Sequence, residues 1–481
     1  MNRQIIKLFG FLLVLYALLF GFTSYWSIFD ADSLKANQAN RRPLLEEQTI
    51  KRGDILASDG SVIARSRPVG KGNNPIYVRH YPQGGLFGNP IGYSFVTQGR
   101  VGFELSHNDE LVGNKTEFLS VLDELQGHSQ VGDKVQSALD PAAQQAAVNG
   151  LAGRRGSVVA IVPSTGEVRA MVSIPEYDPN QIPKHFAQLN RDQSAPLFNR
   201  ATQAGYPPGS TMKVVTATAA LDSGELTPSS TFSGRSPIEI EGVPLSNSGG
   251  EQFGTIDMTT ALTNSVNTWW AQAGEKIGKD TMFKYMDRYG FDAKPRLDYP
   301  SFQLAASGVY DGNRLLGPSD PIDIGRVAIG QERLRVTPLQ MAEVASTVAN
   351  NGELMEPRLW SRVIDPDGRE TKLDPARQSR VMSEDTAHTL NTMMQSVVSE
   401  GTGTAGAVSG IDVAGKTGTA EISSGVNDAW FIGFAPAEDA KIVVAVMIEF
   451  GGHGTRSAAI ASKIIQAYLK VTPVSEQMVD G

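Results

Sequence analysis

From Leu8 to Phe29 the chain runs 22 residues without a charged side chain, rich in Leu and Phe, and this stretch constrains the fold more than any other. As a helix it spans about 33 Å, the thickness of a bilayer core. Arg3 and Lys7 precede it and Asp30 and Asp32 follow. Positive charge is retained on the cytoplasmic side, so the pattern predicts residues 1–7 inside, 8–29 in the membrane and the remainder exported. A cleaved export signal would have an apolar core of ~7–15 residues with small residues before the cut. Here Tyr25-Trp26-Ser27-Ile28-Phe29 ends the run, an aromatic cluster suited to a membrane interface. The expectation is a retained single-pass anchor.

Beyond the anchor the chain divides by composition. Residues 30–45 are polar, with too few apolar side chains to bury a face, and read as a stalk. From Thr49 to about Gly132, Gly, Pro and short apolar runs (Ile55-Leu56, Val62-Ile63, Ile76-Tyr77-Val78) predict a small β-rich domain, so 30–145 is expected to form stalk and pedestal. A larger domain is expected over 146–472, with 473–481 as a tail. Its first part holds a hairpin, Ser157–Val162 and Val168–Val172 around Pro163-Ser164-Thr165-Gly166. Its last part has three strand-like runs, 416–421, 429–435 and 441–449, then an apolar helix, Ser457–Leu469. Between them lie predicted helices at Ser210–Leu221, Asp257–Asn264, Thr268–Ile277 and Pro338–Asn350. Strands at both ends with helices between predict an α+β domain: one antiparallel sheet of about five strands, its first and last parts brought together.

Ser210 and Lys213, in Tyr206-Pro207-Pro208-Gly209-Ser210-Thr211-Met212-Lys213, stand where a loop turns into the first of those helices. Residues i and i+3 share a helix face, so the amine can reach the hydroxyl. A serine is a poor nucleophile until a base takes its proton, and a neutral lysine one turn away is such a base. At average composition roughly one Ser-x-x-Lys arises by chance in a chain this long. Two later motifs add to it: Ser265-Val266-Asn267, and Lys416-Thr417-Gly418-Thr419, a run expected only ~0.1 times by chance. Ser106-His107-Asn108 also fits Ser-x-Asn, but it precedes the serine and falls in the pedestal.

In this order the three motifs resemble the signature of the penicillin-binding proteins and serine β-lactamases. The chain is most similar to the class B penicillin-binding proteins, in particular the actinobacterial penicillin-binding protein A group. Further matches are Arg52-Gly53-Asp54-Ile55, Gly102-Phe103-Glu104, Leu111-x-Gly113, Asp140-Pro141 with Gln144, Gly330-Gln331, Thr337-Pro338-Leu339-Gln340 and Ala429-Trp430-Phe431. Many members carry Gly where this chain has Glu332. The resemblance implies a penicillin-binding transpeptidase fold and monofunctional serine D,D-transpeptidase activity, with no cofactor. The substrates would be peptidoglycan stem peptides on strands derived from lipid II. β-Lactams would be covalent ligands, and a SEDS-type (shape, elongation, division and sporulation) glycosyltransferase the membrane partner.

The resemblance also implies roles. Ser210 attacks the D-Ala–D-Ala carbonyl, and Lys213, made neutral by burial and by Lys416, takes its proton. Ser265 relays a proton to the leaving amine, and Asn267 holds Lys213 and meets a substrate amide. The N–H groups of Ser210 and Thr419 bind the oxyanion. Lys416, Thr417 and Thr419 meet the terminal carboxylate, while Gly418 leaves the strand open for the substrate backbone. A D,D-carboxypeptidase, a β-lactam sensor or scaffold, and a β-lactamase share the same serine and remain alternatives.

Other chemistries fit less well. A net charge of −8 gives no electrostatic footprint for nucleic acid, and the absence of cysteine excludes disulfides and thiol catalysis. The six histidines form no metal motif. Gly410 to Thr417 matches a nucleotide-binding loop, but Gly418 and Thr419 after the lysine are a poor helix start. Asn267 could instead cap the helix after it, and Trp269 and Trp270 are expected in the core.

Overall fold

A computed structural model of the chain describes residues 2–29, 44–45, 47–70, 75–113, 131–423 and 425–471. The expected tail at 473–481 and all of the expected stalk but residues 44 and 45 lie outside the described residues. Helix α1 (Asn2–Ser24) runs into a π-helical turn, Tyr25–Phe29. It begins earlier than Leu8 because nothing from Asn2 to Lys7 breaks a helix. The segment Arg3–Ser27 has no buried residue and is long and apolar enough to cross a membrane.

Strands β1 (Ile55–Leu56), β2 (Val62–Val69), β3 (Ile76–His80) and β4 (Lys134–Ser137) belong to one twisted sheet. Two strands from far along the chain, Trp360–Ile364 and Glu370–Lys372, complete it. Trp360–Ile364 pairs antiparallel with β4, placing Val363 opposite Val135. This sheet therefore ties the N-terminal region into the larger domain. Its interior holds the matched boxes together: Glu104 accepts from Arg52 Nε at 2.8 Å and Arg79 Nε at 2.5 Å, and all three side chains are buried. Burial alone would raise the Glu104 carboxyl, but the two guanidiniums outweigh it and hold the group at about 2.

Helix α2 (Pro141–Leu151) runs unbroken across the boundary expected at 145/146, and its Ala143, Ala147 and Leu151 pack in the larger domain's core; Asp140 caps it, accepting from Ala143 N at 2.8 Å. The sheet comprises β5 (Gly156–Ile161), β6 (Val168–Ile174), β7 (Ala414–Ser423), β8 (Val426–Ala435) and β9 (Ile442–Ile448). Its order is β7-β8-β9-β5-β6, antiparallel throughout, so the chain's late strands join its early hairpin as expected. Both faces are covered. Val159, Ile161, Ile432, Ala445 and Met447 point into a core shared with α3 (Lys213–Asp222), α4 (Asn267–Ile277), α5 (Pro338–Ala349) and α6 (Glu384–Ser399). Val158, Ala160, Phe431, Val444 and Val446 alternate with them and pack on α2 and α7 (Thr455–Leu469). Double burial explains why these strands read as continuous apolar runs instead of alternating ones. Trp269 and Trp270 are fully buried, as expected of core residues.

Candidate active site

The expected helix at Ser210 splits into two. Gly209–Met212 forms a 3-10 turn, and the α-helix starts at Lys213. The turn is wedged between strand and loop. Gly209 has φ +52°, and a Cβ there would lie 2.6 Å from Thr419 O. On the other side Gly209 N donates to Gly330 O at 2.9 Å, and a Cβ on Gly330 would lie 1.9 Å from Gly209 O. Only glycine tolerates either position. Tyr206, at the head of the turn, donates to Glu449 Oε1 at 2.8 Å, and Trp430 Nε1 donates to Pro207 O at 3.0 Å. The nucleophile candidate is thus fixed from four sides.

Ser210, Ser265, Asn267, Thr417 and Thr419 line one open cleft of about 1080 Å³. Lys213 and Lys416 lie beneath it, both fully buried. Strand alternation separates the third motif. Thr417 and Thr419 face the cleft, while the Cα of Gly418 faces the nucleophile turn, where a Cβ would meet Pro208 O, Thr211 Cγ2 and Trp430 Cβ at 2.9 Å. Close packing against that turn, not an opening for substrate, is what this glycine supplies. The strand it belongs to, β7, is at the edge of the sheet, so among the described residues one row of its peptide groups has no strand partner.

Lys213 Nζ donates to Ser265 O at 2.7 Å and to Asn267 Oδ1 at 2.7 Å, and lies 3.2 Å from Ser265 Oγ. These contacts replace the bond to Ser210 that helix spacing suggested. Burial drives the Lys213 amine well below its ordinary range, and the charge of Lys416 lowers it further. A neutral amine has two protons, and the two carbonyl oxygens accept both. Its lone pair is left for a hydroxyl. Lys416, held at about 7 by burial, donates to Thr417 O at 3.0 Å. The lysine expected to touch a carboxylate thus sits buried behind the cleft wall, within reach of the cleft only through its charge.

Ser265 has φ +58°, a left-handed conformation that costs a non-glycine residue about 1–2 kcal/mol. It follows the helix Met258–Thr263, whose cap is Asp257 as expected. Asn267 does not cap the helix after it. Asn247, from a separate loop, accepts from Thr268 N at 3.0 Å and leaves the Asn267 amide for Lys213 and Ser246 O. Glu332 also lines the cleft, with φ +64°, the conformation glycine favours and the reason a glycine suits this position. The nucleotide-loop reading fails, because Lys416 lies inside strand β7 and not at the start of a helix. Thr402, Asn247 and Glu449 belong to no motif. Their only sequence signals are a Thr between glycines, an Asn before Ser-Gly-Gly, and a Glu ending an apolar strand.

Residues 156–466 match the model of the penicillin binding protein transpeptidase domain. The chain belongs to the penicillin-binding protein family. Residues 52–135 match the penicillin binding protein A dimerisation domain. The chain is 33% identical to the peptidoglycan D,D-transpeptidase PbpA of Mycolicibacterium smegmatis, over 98% of this chain and 99% of the relative. Among solved structures it resembles the imipenem acyl-enzyme complex of penicillin-binding protein A from M. tuberculosis (TM-score 0.79, 32% identity, 88% of this chain and 100% of that one). It also resembles the D,D-transpeptidase domain of a peptidoglycan glycosyltransferase from Eggerthella lenta (TM-score 0.77, 32% identity, 88% and 99% covered). This penicillin-binding protein therefore carries a serine-type transpeptidase domain, as the three motifs implied.

Proposed function

We propose that Ser210 is the nucleophile of a peptidoglycan D,D-transpeptidase and that Lys213 is its base. The observation that carries this is the buried Lys213 amine, driven toward neutrality and tied by two carbonyl oxygens one turn from Ser210. Ser210 Oγ bonds to the penultimate D-Ala carbonyl carbon of a donor stem peptide, and its proton passes to Lys213 Nζ. The oxyanion rests on the N–H groups of Ser210 and Thr419. As the C–N bond breaks, the leaving D-Ala amine takes a proton relayed by Ser265. A neighbouring stem amine then attacks the ester, returns a proton to Ser210 and forms the cross-link. Thr417 and Thr419 hold the terminal carboxylate, with Lys416 behind them. A β-lactam amide enters the same path and stays as the acyl-enzyme.

The anchor is read as a single pass with Arg3 and Lys7 cytoplasmic and the catalytic domain outside. A membrane glycosyltransferase of the SEDS type is the inferred partner, since neither matched domain is a glycan polymerase.

The detergent-solubilised chain, treated with benzylpenicillin and digested with trypsin, is expected to carry one penicilloyl group on the peptide Ala201–Lys213. An adduct on any other peptide, or none, overturns the assignment. Offered a stem-peptide thioester and a D-amino acid, the enzyme should release exchange product; hydrolysis alone would make it a carboxypeptidase. The pH profile follows from the two lysines. Acylation needs Lys213 neutral and Lys416 charged, so the second-order rate should fall on the alkaline side as pH rises through about 7, where Lys416 loses its proton. On the acid side it should fall as Lys213 gains one. A rate still climbing at pH 9 would contradict this.

A further inference from the structure

Thr402 lies between the second and third motifs. It belongs to Gly401-Thr402-Gly403, just after α6. Its N–H donates to Thr263 O at 3.2 Å, and Thr263 ends the helix that leads into Ser265. The approach is close, since a Cβ on Gly401 would stand 2.3 Å from that same oxygen. On its other side Thr402 Oγ1 lies 2.6 Å from Thr417 Oγ1, and both threonines line the cleft. One residue is therefore bonded through its backbone to the Ser265 segment and through its hydroxyl to the strand of Lys416.

We infer that Thr402 is a positioning residue for the donor's carboxylate, an inference resting on the reading that Thr417 meets that group. Proton count decides the direction of the contact. Each hydroxyl has one proton, and the 2.6 Å contact between the two threonines uses one of them. A carboxylate only accepts. For Thr417 to donate to it, the shared contact must be donated by Thr402. Thr402 then accepts nothing from Thr417, turns the Thr417 hydroxyl toward the cleft and fixes its rotamer before substrate arrives. The anion meets an oriented donor instead of one turned toward a neighbour. Its attachment to Thr263 keeps that donor in register with Ser265 and, through it, with Lys213.

The test compares a ligand that has the anion with one that lacks it. Second-order acylation rates at Ser210 are measured on the full chain in detergent, with benzylpenicillin and with its methyl ester. Thr402→Val keeps the shape and removes the hydroxyl. The rate with benzylpenicillin should fall about tenfold, the worth of an oriented hydrogen bond to a charged group, while the rate with the ester stays within about twofold. Thr402→Ser should restore the parent rate with benzylpenicillin, and Thr402→Ala repeats the comparison if the valine strains the loop. Equal losses with both ligands would mean the residue only supports the loop, and no loss with either would mean it does not act; both overturn the inference. If the parent chain acquires no adduct at Ser210, the assignment of the site fails and this inference goes with it.

Discussion

Ser210→Ala is expected to give a folded chain that takes up no penicillin, and Lys213→Met to slow acylation at Ser210 by about 10⁴-fold. The effect is large because, among the described residues, the site has no substitute for either group. Ser265 Oγ is held 3.2 Å from Lys213 Nζ, and an ordinary hydroxyl is too weak a base to replace the amine. Lys416 has the chemistry of a base near neutrality, but its amine is committed to Thr417 O behind the wall. Methionine fills the volume of the lysine and leaves the core closed, so lost activity reports the missing amine and not a cavity. The measurement is the rate of covalent labelling by a fluorescent penicillin, with the thermal midpoint as a check on folding. Labelling of Ser210→Ala at the parent rate, or a Lys213→Met rate within tenfold of the parent, would remove the dyad.

Glu104→Gln is expected to destabilise the N-terminal sheet by about 3–5 kcal/mol. Glu104 is fully buried and is the carboxylate bonded to both Arg52 Nε and Arg79 Nε, with Tyr81 OH at 3.2 Å. Removing its charge leaves two buried guanidiniums facing a neutral amide. The exposed ion pairs elsewhere, such as Arg314–Asp320, contribute far less because water screens them. The effect should appear as faster amide exchange at Ile55 and Val135, which pair across the sheet. A second signature is the acid limb. The Glu104 carboxyl, held at about 2 against an ordinary 4.5, contributes stability above pH 4.5 that is lost as pH falls toward 2. The glutamine variant should lack that loss. Parent-like exchange, or an unchanged acid limb, would show that this network does not hold the sheet.

Much of this molecule is readable in short stretches of sequence. The anchor is one uninterrupted apolar run, and the caps at Asp140, Asp257 and Thr337 stand beside the amides they satisfy. The three motifs are each a few residues long, and their order pointed to the right family. These features act over one helical turn or one strand, so neighbouring residues suffice to encode them. The tertiary structure decided what depends on distant residues meeting. It brought Trp360–Ile364 to the N-terminal sheet, gave the capping role to Asn247 instead of Asn267, and filled the space beside Gly418 with the nucleophile turn. It also set the state of Lys213, because burial and the field of Lys416 arise only when segments about two hundred residues apart pack together. Sequence alone pointed to the lysine as a candidate base; only its packed surroundings lower its pKa toward that role, since in water the same amine would keep its proton.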